Sequence, residues 1–157
     1  MPPHLSELLR PSLSPTAAPP RSPYSQQTAF LASFFGGPLA AMAMNVINSW
    51  RLGRLPRDAA WLLAGIAAAL GLEAWLLVTA DGQALLRQAD ALVGRNSLAL
   101  ASRALGLLLF VLGLVMHRRE HQAVELMGGT RPNGVLAGIA LIIGGTVAEV
   151  FWRGWLR

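Results

Sequence analysis

The sequence predicts an all-α integral membrane protein: a four-helix bundle with one short interfacial helix and a disordered N-terminal tail. Three observations carry this. Four apolar runs cover 30–49, 59–79, 98–116 and 134–152. Each is close to the ~20 residues that a helix rising ~1.5 Å per residue needs to cross a ~30 Å hydrocarbon core. Hydrophobic residues make up 54% of the chain and charged ones only 13%, about half the charged share usual in a soluble domain. Finally, the arginines cluster beside the runs: Arg51, Arg54 and Arg57 after the first, Arg118 and Arg119 after the third, Arg153 and Arg157 at the end.

A soluble helical bundle is the competing fold. Soluble helices keep a polar face, whereas LLAGIAAALGLEAWLLV (62–78) has a single charge and no polar stripe. The net charge of +5 and pI near 11.5 would suggest nucleic acid in a soluble chain. Here the arginines sit where anionic headgroups would hold them, and no aromatics interleave with them to stack on bases. The expected partner is therefore the lipid bilayer, with a homo-oligomer or a larger membrane complex as further options and no nucleic acid. The chain contains no cysteine, which excludes disulfides, thiolate metal sites and cysteine nucleophiles. No cofactor is expected.

Residues 1–27 hold seven prolines among serines and alanines. Such a stretch cannot build a core, so a disordered or polyproline II tail is expected before a membrane domain at 28–157. The stretch has no apolar core of its own, which argues against a cleaved signal peptide and makes the first run a signal anchor. That run contains Gly36-Gly37-Pro38, which removes a backbone donor and weakens the helix at one place. Three readings follow: a kinked spanning helix, a discontinuous helix whose free backbone groups line a site, or a re-entrant start with the helix proper beginning at Pro38.

Between the second and third runs, Leu85, Leu86, Ala89, Leu92 and Val93 share one helical face, opposite Gln83, Arg87 and Asp90. This predicts an interfacial helix over 82–94, capped by Asp81 and ended by Gly94. The third run is expected to continue as helix through 116–127 and to stop at Gly128-Gly129. Gly134 and Gly138 are spaced for close helix packing, either inside the bundle or as a dimer seam.

Polar residues inside apolar runs mark the candidate sites. Glu73, Arg103 and Glu149 fall at similar depths if all four runs cross, and are expected to form one intramembrane layer near the tail, the 81–97 loop and the C-terminus. One carboxylate is then left over, to be protonated or paired with Arg153. The layer reads first as a structural ion-pair network and second as a proton- or cation-coupled site. Asn45 and Asn48, three residues apart, are expected to make interhelical hydrogen bonds away from that layer. His117, Glu120 and His121 spell H-x-x-E-H, a weak metal candidate. At the end of a span they read first as a solvated anchor cluster.

The segment YSQQTAFLASFFGGPLAAMAMNVINSWRLGR (24–54), and within it FFGGPLA (34–40), resembles the opening of small uncharacterised bacterial inner-membrane proteins. The resemblance implies a multi-pass protein of the bacterial cytoplasmic membrane. It brings no activity, ligand or catalytic residue with it.

Arginine counts divide evenly between the two faces of a four-span topology; the denser clusters abutting the spans favour loops one and three in the cytoplasm, whereas the even span count leans toward both termini there. With no nucleophile–base pair and no phosphate-binding loop in the sequence, the expected role is non-enzymatic: a structural or accessory membrane protein. The alternative is a small oligomeric transporter or channel that uses the Gly36-Gly37-Pro38 break with Glu73 or Glu149.

Overall fold

The computed structural model describes residues 21–119, 121–122 and 132–156. Among these, five helices of fourteen or more residues follow one another: α1 (Gln26–Arg51), α2 (Leu55–Val78), α3 (Ala80–Val93), α4 (Ser97–Met116) and α5 (Val135–Trp155). Residues 1–20 of the expected tail, and the expected helix end at Gly128-Gly129, lie outside the described residues. The all-α bundle stands. α1, α2, α4 and α5 are each long and apolar enough to cross a membrane.

The bundle is apolar on the outside. Leu136 is 83% exposed, Phe151 76% and Val115 68%, so lipid is the medium that suits this surface. Burial is concentrated in α1, of which 56% is covered, against 22% of α2 and α4 and 17% of α5. The first apolar run is thus wrapped by the other helices.

The reason is a sharp reversal inside α1. Gly37 has φ 72° and ψ −166°, a region that essentially only glycine occupies. Pro38 follows it, with no N–H to lose at the first position of a new helical limb. The limbs 26–36 (α1a) and 38–51 (α1b) then run back alongside each other. Their far ends meet: the Arg21 N–H donates to the Arg51 carbonyl at 2.9 Å, and the Tyr24 N–H donates to Asn48 Oδ1 at 2.9 Å. Arg51 Nε donates to the Ser22 carbonyl at 2.8 Å, and its guanidinium lies 4.5 Å from the Tyr24 ring centre. A straight 26-residue helix would hold these ends nearly 40 Å apart. Ala29 and Ala32 of α1a pack directly on Met44 of α1b.

The first of the three expected readings, a kinked helix spanning 30–49, is therefore corrected to a hairpin, each limb about 16–21 Å long and too short by itself to cross a ~30 Å core. Irregular backbone at membrane depth is tolerated only where protein covers it, and Gly36, Gly37 and Pro38 are all buried. Two glycines make the cover close enough. A Cβ on Gly145 of α5 would sit 2.6 Å from the Gly36 carbonyl oxygen, and one on Gly106 of α4 would sit 3.0 Å from the Gly37 carbonyl carbon.

The hairpin also changes which ends lie together. Residues 21–25, the end of α1b, the start of α2 and the end of α4 share one end of the bundle, called here the tail end. α3 and the end of α5 lie at the other, the α3 end. The expectation that the tail accompanies the 81–97 loop and the C-terminus does not hold, because the chain turns back at Gly37 instead of crossing.

α3 turns directly off α2. Thr79 ends one helix, its hydroxyl donating to the Trp75 carbonyl at 2.7 Å, and caps the next by accepting from the Gly82 N–H at 3.1 Å. The cap is thus Thr79 and not Asp81, because the turn needs its capping oxygen one residue before the helix. Gly94, at φ 87°, ends α3. Asp90 Oδ1 then accepts from the Ser97 hydroxyl at 2.6 Å, fixing the step into α4. Leu92 and Val93 point outward, 88% and 60% exposed.

Candidate functional site

Two buried polar groups lie at opposite ends of the bundle, and each ties the hairpin to its walls. At the α3 end, Arg153 on α5 donates through Nη2 to Glu73 Oε1 of α2 at 2.7 Å and to Glu149 Oε2 of α5 at 2.9 Å. The Ser102 hydroxyl of α4 donates to the same Glu149 oxygen at 3.1 Å. Both carboxylates are buried, with side chains 4% and 9% exposed, while Arg153 keeps 21% of its side chain accessible. Oε1 of Glu149 packs against Gly37 at the hairpin tip and is buried without a hydrogen-bond partner. Four elements therefore converge on one carboxylate: α2 through Glu73, which shares Arg153 with it, α4 through Ser102, α5 by its own backbone and α1 through Gly37.

Two carboxylates face one guanidinium, and that guanidinium is Arg153. Arg103, expected as the third member of the layer, is exposed, with its guanidinium 5.6 Å from the Phe34 ring centre. Successive residues on a helix point about 100° apart. With Ser102 turned into the cluster, Arg103 is turned out of it. Arg153 stands one helical turn beyond Glu149 on the same face, where an i,i+4 pair meets.

At the tail end, Ser49 of α1b, Asp58 of α2 and His117 after α4 form a closed triangle. The Ser49 hydroxyl donates to Asp58 Oδ2 at 2.8 Å, His117 Nε2 lies 2.9 Å from Ser49 Oγ, and the same Nε2 lies 3.2 Å from Asp58 Oδ2. Arg54 Nη2 stands 3.7 Å from Asp58 Oδ1. Ser49 is 0% exposed, His117 1% and Asp58 3%.

These are the residue types of a serine-hydrolase relay, but the geometry is not that of a relay. A relay places the acid on one ring nitrogen and the nucleophile on the other. Here both partners use Nε2, and the single serine hydrogen is directed at the carboxylate. The ring therefore does not stand between the serine and the acid as a relay requires. The triangle joins three helices as hydrogen-bonded polar groups in a low-dielectric interior.

His117 is therefore buried, and the solvated anchor expected at 117–121 is corrected at its histidines, while Arg118 and Arg119 are exposed: Ser49 and Asp58 provide partners that draw the His117 ring inward. His121 is also buried, 4% exposed, one turn on, its N–H bonded to the His117 carbonyl at 3.0 Å. Glu120 lies outside the described residues. Among the described residues no group of three or more histidine, cysteine or acidic side chains is placed to hold a metal ion.

The two asparagines serve different partners. Asn45 Nδ2 donates to the Leu109 carbonyl of α4 at 3.0 Å, in room left by Gly113, where a Cβ would meet the amide. Asn48 links the hairpin's own limbs through Tyr24. Both stand toward the tail end, apart from the Glu73–Glu149 group. Gly134 and Gly138 are buried against Tyr24 and Thr28 of the hairpin, so this pair packs inside the chain and is not free to serve as a dimer seam.

Sequence reasoning missed Ser49, Asp58 and Ser102. Ser49 lies one turn from Asn45 on the same face, and Asp58 is an acid at the threshold of an apolar run. Both signals were legible, but small hydroxyls in apolar runs are too common to single out. Compared with family models, curated proteins and solved structures, the chain matches none of them.

Proposed function

We propose that this chain is a non-enzymatic structural or accessory protein of a membrane, and that its re-entrant hairpin is the part the rest of the fold exists to hold. The observation that carries this reading is the state of the Gly36-Gly37-Pro38 break. A break used for transport opens onto a water-filled space lined by free backbone groups. Here all three residues are buried, and helix backbone and the Glu149 carboxyl press directly on them. The buried polar side chains serve the same end: Asn45, Asn48, Ser49 and the Glu149 group each bind the hairpin to itself or to a wall. The bacterial inner-membrane location implied by the resemblance of 24–54 belongs to the same proposal.

A second reading, a small transporter, draws on one atom. Glu149 Oε1, unpartnered at the hairpin tip, is where a coupling proton or cation would be sought. Reconstitution into proteoliposomes separates the two. The structural reading expects no proton or monovalent-cation flux above that of empty vesicles, and a Glu73→Gln protein with lowered thermal stability. A flux that Glu73→Gln abolishes while the protein stays folded overturns it.

A further inference from the structure

The hairpin breaks the tie in arginine count between the two membrane faces. With residues 21–25 returned to the tail end, the described arginines divide unequally. Arg21, Arg51, Arg54, Arg57, Arg118 and Arg119 gather there, and the acid described among them is Asp58, buried in its triangle. The α3 end has four described arginines, Arg87, Arg95, Arg103 and Arg153, together with Asp81, Asp90, Glu73 and Glu149. Arg21, Arg57, Arg118 and Arg119 are exposed at the tail end, against Arg87, Arg95 and Arg103 at the α3 end, where Arg153 is engaged by two carboxylates and Asp81 is exposed as well. Trp50, 57% exposed, lies at the same end with the Arg21 guanidinium 5.7 Å from its ring centre, the pairing of cation and aromatic that suits a headgroup layer.

We propose that the tail end is a docking surface for the anionic headgroups of the cytoplasmic leaflet. The chain then crosses the membrane three times, by α2, α4 and α5. The hairpin dips in from the cytoplasmic side and returns to it, and the C-terminus lies on the opposite side from residues 21–25. The physical reason is that arginines in short segments beside a span are retained on the cytoplasmic side and held there by anionic lipid. The proposal replaces the expectation of two cytoplasmic termini. It stands independently of the structural or transport reading of the hairpin.

The test is a set of reporter fusions to the full chain: green fluorescent protein at the N-terminus, and alkaline phosphatase or green fluorescent protein inserted after Gly94 or fused after Arg157. The expected result is fluorescence from the N-terminal fusion, with active phosphatase and no fluorescence at both other positions. Two termini on the same side overturn the three-crossing topology. Termini on opposite sides with the N-terminus outside overturn the assignment of the arginine end to the cytoplasmic leaflet. Because a fusion can disturb insertion, the cysteine-free chain provides a second readout. A cysteine at Asn96 is expected to react with an impermeant maleimide on intact cells, and one at Gln122 only after permeabilisation; the reverse pattern overturns the proposal.

Discussion

Oδ1 of Asn48 accepts the backbone N–H of Tyr24 across 2.9 Å. A continuous helix between these residues would separate them by roughly 36 Å. This single hydrogen bond distinguishes a hairpin from a crossing, and it makes the hairpin testable in a chain with no cysteine to interfere.

Arg21→Cys combined with Arg51→Cys is expected to form an intramolecular disulfide on mild oxidation in membranes, since the backbones of these residues are hydrogen-bonded at 2.9 Å and such spacing suits the bridge. Arg21→Cys combined with Arg87→Cys is expected to remain reduced. Mass spectrometry of the digested protein reads the difference. A straight first span would leave both pairs reduced.

Gly37→Ala is expected to destabilise the protein markedly. The backbone conformation alone costs a non-glycine residue about 1–3 kcal/mol, and the added Cβ would overlap the Glu149 carboxyl. Gly144→Ala is the control, because a Cβ there would meet nothing within 4 Å. Thermal midpoints in detergent should fall for the first variant and stay within about a degree or two of wild type for the second.

Arg153→Gln and Arg103→Gln should differ sharply, although both remove an arginine from the same end of the bundle. Losing Arg153 leaves Glu73 and Glu149 buried without their cation, a change that typically costs about 3–5 kcal/mol. Losing Arg103 removes an exposed contact with Phe34, worth about 0.5–1 kcal/mol. Adding Glu73→Gln to the Arg153→Gln protein should recover part of the loss. Equal effects of the two single variants would mean that Arg153 does not hold the cluster.

The Ser49–Asp58–His117 triangle predicts coupling without reactivity. In a double-mutant cycle, Asp58→Asn and His117→Ala should show an interaction energy of about 0.5–3 kcal/mol, as partners in one network do. Ser49 should not be labelled by a fluorophosphonate probe, because it is fully buried and its hydroxyl is directed at Asp58 and not at the imidazole. Labelling that disappears in His117→Ala would establish a relay after all.

Length and hydropathy made the long helices legible, and the periods of 80–93 made the short helix α3 legible. The reversal at Gly37 was marked in the sequence by Gly-Gly-Pro, but a kink and a hairpin share that spelling. What separates them is the fit of Gly106 and Gly145 against the break, a long-range relation that no local window contains. The same limit explains the third member of the Glu73–Glu149 group. Depth was argued along each helix, whereas the choice between Arg103 and Arg153 depends on rotation about it. Ser49, Asp58 and His117 lie far apart in sequence and become neighbours only because α1b returns to the end where α2 begins and α4 stops.

The burial of the hairpin tip has a consequence for biosynthesis. Gly106 and Gly145, which close over the break, are made 69 and 108 residues after Gly37 by their positions in the chain. Until α4 and α5 have been inserted, the reversal has no walls, and its irregular backbone would face lipid. The earliest made of these helices is thus the last to reach its final place. Chains truncated before α5 are expected to carry that segment in another arrangement and to be recognised by membrane quality-control proteases.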